Sequence, residues 1–168
     1  MLEAKRIETA SKPAFYEDLA RQHEGLLSGE RDAIANAANT AALFFSTLPD
    51  VNWVGFYFLR SPDELVLGPF QGKPACVRIA VGRGVCGFAV KERHAMLVED
   101  VHAFADHIVC DTASRSELVV PLFRDGRILG VIDLDSPSPS RFDLDDQRGI
   151  EAIARIYVRS SDPLRHLL

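Results

Sequence analysis

The chain has 168 residues, 47% of them hydrophobic and 26% charged, enough apolar material for one domain with a real core. A formal net charge of −5 gives no electrostatic reason to expect a nucleic-acid partner. No apolar run approaches the roughly 20 residues that cross a bilayer, and residues 1–8 lack the apolar core of a signal peptide. The expected location is therefore the cytosol, cytoplasmic and away from membranes, where thiols stay reduced.

Residues 1–12 read as a polar lead-in to a single domain spanning 1–168, with its core at about 13–158. A first helix is expected over 13–25, with Pro13 in the first turn, where its missing N–H costs nothing. In the second, Ile34, Ala37, Ala38, Ala41, Phe44, Phe45 and Leu48 recur at helical spacing, and Pro49-Asp50 stops the pattern. The character then becomes β-rich. Val51–Leu59 reads as a strand, Ser61-Pro62-Asp63 as a turn, and Glu64–Phe70 as the return strand. Val77–Val81 is a short strand, Gly82–Gly84 opens a short helix to about Lys91, and Ala95–Glu99 is a further strand.

Residues 100–116 carry no clear period and read as a long loop or a loop with a short helix, of the kind that is often functional. Leu118–Phe123 and Ile128–Asp135 form a hairpin about Asp125-Gly126. Its strands are apolar on both faces, so the sheet is expected to be covered on both sides. After a Pro/Ser linker, Asp143 caps a last helix, with Asp146 three residues on and an apolar stripe at Ile150, Ile153, Ala154 and Tyr157. The order predicts an α+β domain, a central antiparallel sheet flanked by helices.

Three cysteines stand out: Cys76, Cys86 and Cys110. An odd number argues against a purely structural disulfide framework. Cys86 falls at the start of the short helix after Gly82-Arg83-Gly84, where a helix N-terminus lowers a thiol pKa. Cys110 has His107 three residues before it and Asp111 beside it, a mixed local field. Asp133 and Asp135 share one strand face, which is costly on an apolar strand unless they are solvated, paired or used. Trp53 and Tyr57 also share a face, and could wall a pocket or simply fill the core.

Several runs carry a family resemblance. They are Asn52-Trp53-Val54-Gly55-Phe56-Tyr57, Gly68-Pro69-Phe70-Gln71-Gly72-Lys73-Pro74-Ala75-Cys76 and Gly82-Arg83-Gly84-Val85-Cys86-Gly87. To these are added His107-Ile108-Val109-Cys110-Asp111, Ser116-Glu117-Leu118-Val119 and Ile132-Asp133-Leu134-Asp135-Ser136-Pro137. Over about 13–158 the chain resembles the free methionine-(R)-sulfoxide reductases, enzymes built on the GAF fold. The resemblance implies a GAF-like domain that reduces free L-methionine (R)-sulfoxide without metal or bound cofactor. Cys110 would attack, Cys76 would resolve the sulfenic acid as a disulfide, and Cys86 would assist. The roles of Cys86 and Cys110 could be exchanged. Glu117, Asp133 and Asp135 would bind the substrate amine and help protonate the sulfoxide oxygen, and Trp53 and Tyr57 would receive the methyl-thio end. Backbone N–H groups of the 104–116 loop, or Arg115, would meet the substrate carboxylate. A thioredoxin-type reductant fed by NADPH would restore the thiols. The apolar stripes of the terminal helices suggest a homodimer.

One detail of register bears on this set. A two-residue turn at Asp125-Gly126 pairs Phe123 with Ile128 and so Leu118 with Asp133, turning Glu117 away from both aspartates. Convergence of the three acids requires a bulge or a longer loop, or a Glu117 that precedes the regular strand. Two rival readings are a non-catalytic small-molecule-binding sensor module and a zinc site drawn from Cys76, Cys86, Cys110, His102 and His107. The zinc reading has only His107-x-x-Cys110 at compact spacing.

Overall fold

The computed structural model describes residues 7, 9, 11–104 and 112–164. Among them the chain runs α1 (Lys12–Leu26), α2 (Ala33–Thr47), β1 (Trp53–Ser61), β2 (Glu64–Gln71), β3 (Arg78–Ala80), α3 (Gly84–Glu92), β4 (Met96–Val98), a 3-10 turn (Val101–Ala103), β5 (Ser116–Arg124), β6 (Arg127–Ser136) and α4 (Leu144–Ser160). The six strands form one antiparallel sheet in the order β3-β2-β1-β6-β5-β4. Every element expected from the pattern is present, with ends shifted by a residue or two.

The helix starts are chemically specified. Asp32 accepts from the backbone N–H groups of Ile34 and Ala35 at 2.9 and 2.8 Å, which caps α2. Asp143 and Asp146 form a full capping box on α4. Asp146 also accepts from Tyr16 Oη at 2.7 Å and Lys12 Nζ at 2.6 Å, tying α4 to α1.

The sheet is covered on both faces. Val54, Phe56, Phe58, Leu118, Val120, Leu122, Ile132 and Leu134 point into the larger core with α1, α2 and α4. Trp53, Tyr57, Val119 and Val131 point the other way, against Val85, Cys86 and Ala89 of α3. The apolar stripe of α4 is consumed in the larger core, so it is not free to meet a second copy.

The buried stripe of α2 differs from the expected one. Ile34 and Phe45 are exposed, while Asn36 and Thr40 are fully buried. The reason lies on α1: His23 is also fully buried, and its Nε2 lies 2.8 Å from Thr40 Oγ1. A buried imidazole needs a polar partner, and that rotates α2 toward its polar residues.

The hairpin holds the decisive irregularity. Phe123 pairs with Ile128 and Arg124 with Arg127, as a tight Asp125-Gly126 turn demands. Then the register shifts: Leu122 pairs with Gly130, leaving Leu129 as an extra residue on β6. From there Val119 faces Asp133 and Glu117 faces Asp135. Gly130 has φ +155, and a Cβ there would lie 2.1 Å from the Tyr57 carbonyl oxygen. Only glycine permits that approach of β6 to β1.

Candidate active site

The bulge brings the acids together. Glu117 of β5 and Asp133 and Asp135 of β6 lie on the α3 side of the sheet and line one cleft. Its empty space is about 560 Å³ with the open mouth included. Trp53 and Tyr57 wall it from β1, Lys73, Pro74 and Ala75 from the loop after β2, Gly84, Val85 and Cys86 from the start of α3, and Ser114 from the segment before β5.

The wall and the loop are joined. Gly55 leaves room for the Trp53 ring, since a Cβ there would lie 2.3 Å from it. The indole stacks between Tyr57, with centroids 6.0 Å apart, and Phe70, at 5.4 Å. Trp53 Nε1 donates to the Lys73 carbonyl at 3.0 Å, and Tyr57 Oη donates to the Cys76 carbonyl at 3.0 Å.

At the floor, Cys86 Sγ donates to Asp133 Oδ2 at 3.3 Å. Glu117 and Asp133 are both buried, and Asp133 Oδ1 has no hydrogen-bond partner among the described residues. Burial, and then the negative charge of Asp133 and Asp135, pushes Glu117 well above the usual carboxylate range. Burial also raises Asp133, against hydrogen bonds from Cys86 and Glu117 that favour its ionised form. The pair is thus set to keep a proton at neutral pH.

Cys86 departs from the expectation drawn from its helix. It occupies the first turn of α3, yet burial first, and then Asp133 and Glu117, raise its pKa well above that of a free thiol. Desolvation and two facing acids outweigh a short helix dipole. Cys86 is a protonated hydrogen-bond donor to Asp133, and it is a free thiol. Cys76 is disulfide-bonded. Cys110, His107 and Asp111 lie outside the described residues.

Two cleft residues escaped the sequence reading. Lys73 is the one basic residue among the described residues that line the cleft, and Ser114 sits at its rim. Lys73 lies three positions before Cys76 in a run already singled out, which was its only signal. Arg115 pairs instead with Asp100, at 3.3 Å. The described residues with metal-ligand spacing are Cys86, Glu117 and Asp133, whose ligand atoms lie within 4.8 Å of one another. His102, considered as a ligand from sequence, is exposed in the 3-10 turn.

The family model of the GAF domain matches residues 26–157. The free methionine-R-sulfoxide reductase of Escherichia coli is 51% identical over 143 residues, covering 85% of this chain and 86% of that one. The chain belongs to the GAF-domain family of free methionine-R-sulfoxide reductases. Protein YtsP of Bacillus subtilis is 50% identical over 88% of this chain and 91% of its own. The free methionine-R-sulfoxide reductase of Neisseria meningitidis, solved in complex with its substrate, superposes with a TM-score of 0.90 at 44% identity, covering 95% of each chain. Family membership agrees with the α+β sheet-and-helix architecture. No helix among the described residues is long and apolar enough to cross a membrane.

Proposed function

We propose that this chain reduces free L-methionine (R)-sulfoxide to L-methionine. The observation that carries the reading is the convergence of Glu117, Asp133 and Asp135 beneath the Trp53–Tyr57 wall, beside the segment that bears Cys76. Tyr57 and Trp53 take the methyl-thio end, because sulfur packs well on aromatic rings. The buried Asp133 Oδ1 suits a ligand that brings its own donor, an ammonium group or a protonated sulfoxide. Glu117, held protonated, donates to the sulfoxide oxygen, and Lys73 faces the substrate carboxylate.

Cys110 is the attacking thiol. Its sulfur takes the oxygen from the substrate, giving Cys110 sulfenic acid and methionine. The Cys76 thiol then displaces that oxygen as water and forms a disulfide with Cys110. A dithiol reductant of the thioredoxin type, fed by NADPH, is oxidised as it returns both thiols. The buried, protonated state of Cys86 and the disulfide at Cys76 support this division of labour. Cys86 then serves by hydrogen-bonding Asp133. Thiol chemistry of this kind suits the cytosol. A homodimer would use the exposed apolar face of α2, with Ile34 and Phe45; sedimentation equilibrium of wild type and Phe45→Glu tests it, and a wild-type monomer refutes it.

The test is NADPH consumption coupled to thioredoxin and thioredoxin reductase, with the (R) and (S) epimers of free methionine sulfoxide. Turnover of the (R) epimer, abolished in Cys110→Ser, is expected. Turnover surviving Cys110→Ser would move the attack to Cys86. No turnover of either epimer by folded, reduced protein would leave a ligand-binding module without chemistry.

A further inference from the structure

The floor of the cleft gathers one thiol and two carboxyls with no hydrogen-bond donor supplied to one of the carboxylate oxygens. Cys86 Sγ, a Glu117 oxygen and an Asp133 oxygen lie within 4.8 Å of one another. Asp133 is only 6% exposed, and its Oδ1 has no partner among the described residues. Three ligand atoms on two rigid strands and a helix, facing a cleft that admits a further water ligand, make the donor set of a small four-coordinate cation.

We propose that Cys86, Glu117 and Asp133 bind one thiophilic divalent cation, Zn²⁺ or Cd²⁺, at the floor of the cleft. The sulfur ligand selects against Mg²⁺ and Ca²⁺, which take six or more oxygens. On binding, the Cys86 thiol and the protonated carboxyl each release a proton to solvent, and the metal–sulfur and metal–oxygen bonds replace them. The ion offsets the negative charge left on these ligands when their protons leave. It differs from the site considered from sequence, which drew on His102 and His107. An ion here occupies the place where the polar end of a substrate would rest, so it acts as an inhibitor rather than a cofactor. That consequence rests on the reductase reading; the binding does not.

The protein is tested with Cys76 in its disulfide, so that Cys86 is the free thiol. Equilibrium dialysis against zinc chloride is expected to give one ion per chain. Cys86→Ser and Glu117→Gln should each weaken it by about tenfold or more. Co²⁺ should give a thiolate-to-cobalt charge-transfer band in the wild type that Cys86→Ser lacks. Circular dichroism confirms that each variant folds, and Asp133→Asn replaces any that does not. Absence of saturable binding, or binding that both substitutions leave unchanged, would overturn the site as an adventitious ion only. Zinc binding intact in a protein without turnover would remove the inhibitory role alone.

Discussion

Tyr57 Oη donates to the backbone carbonyl of Cys76 at 3.0 Å. With the Trp53 indole bound to the Lys73 carbonyl, it hangs the segment that carries Cys76 from the aromatic face of β1. The aromatic wall of the cleft and the loop that holds Cys76 are therefore one mechanical unit. Tyr57→Phe keeps the ring and removes the tether. We expect a stability loss of about 1 kcal/mol in urea unfolding. Misplacement of the Cys76 segment should lower kcat/KM about tenfold. Unchanged kinetics would mean that the loop holds its place without Tyr57.

Gly130→Ala should be far more damaging than its size suggests. The new methyl would lie 2.1 Å from the Tyr57 carbonyl oxygen, and the backbone there has φ +155. Strain and strand separation together are expected to cost about 2–4 kcal/mol. Because Gly130 sits at the bulge, activity should fall even below the melting transition. A variant with wild-type Tm would show that β6 can retreat from β1.

Glu117 gives a pH signature. An unfolded glutamate ionises near 4.3, whereas burial and the neighbouring aspartates raise the folded value. Between those two values the folded chain binds more protons than the unfolded one, so this group's stabilisation is full below the lower value and is lost as pH rises through the upper. Glu117→Gln should therefore stabilise the protein at pH 8 and leave it nearly unchanged at pH 4. With Glu117 in its proposed role of proton donor, turnover should fall by about a hundredfold or more. Thermal melts across this range, beside single-turnover rates, decide both points; equal stabilisation at both pH values would contradict the buried-acid account.

His23 works in the opposite direction. Burial lowers its pKa to about 4, below the unfolded value near 6.5. Its contribution is full above the unfolded value and is lost as pH falls toward the folded one, because the unfolded chain takes up the proton first. That loss amounts to about 3 kcal/mol. Nδ1 has no hydrogen-bond partner among the described residues, so protonation would bury a cation without compensation. In His23→Gln the acid-side decline of stability between pH 6.5 and 4 should shrink by that amount in denaturant titrations. An identical decline would assign acid sensitivity elsewhere.

Periodicity and turn chemistry were enough to read the elements, because α4 has a clean apolar stripe and Asp125-Gly126 a strong turn preference. Even the register conflict at Glu117 was legible, since side-chain alternation is a strict period of two. Which remedy the chain adopts was not, because the bulge depends on the close approach of Gly130 to β1, a contact between distant residues. The protonated state of Cys86 was equally hidden. Its helix position is local, while the acids that raise its pKa arrive from β5 and β6. The buried polar face of α2 was missed for the same reason, since His23 lies on another helix.

The extra residue at Leu129 gives the hairpin a parity. Lengthening or shortening β6 by two residues between the turn and Asp133 preserves the side on which the acids emerge. A change of one inverts it, burying Asp133 and Asp135 against α1, α2 and α4 and turning Leu134 into the cleft. Evolutionary insertions and deletions in this stretch are thus expected to come in even numbers, so the chemistry of the site is inherited as a counting rule on the backbone as much as through its side chains.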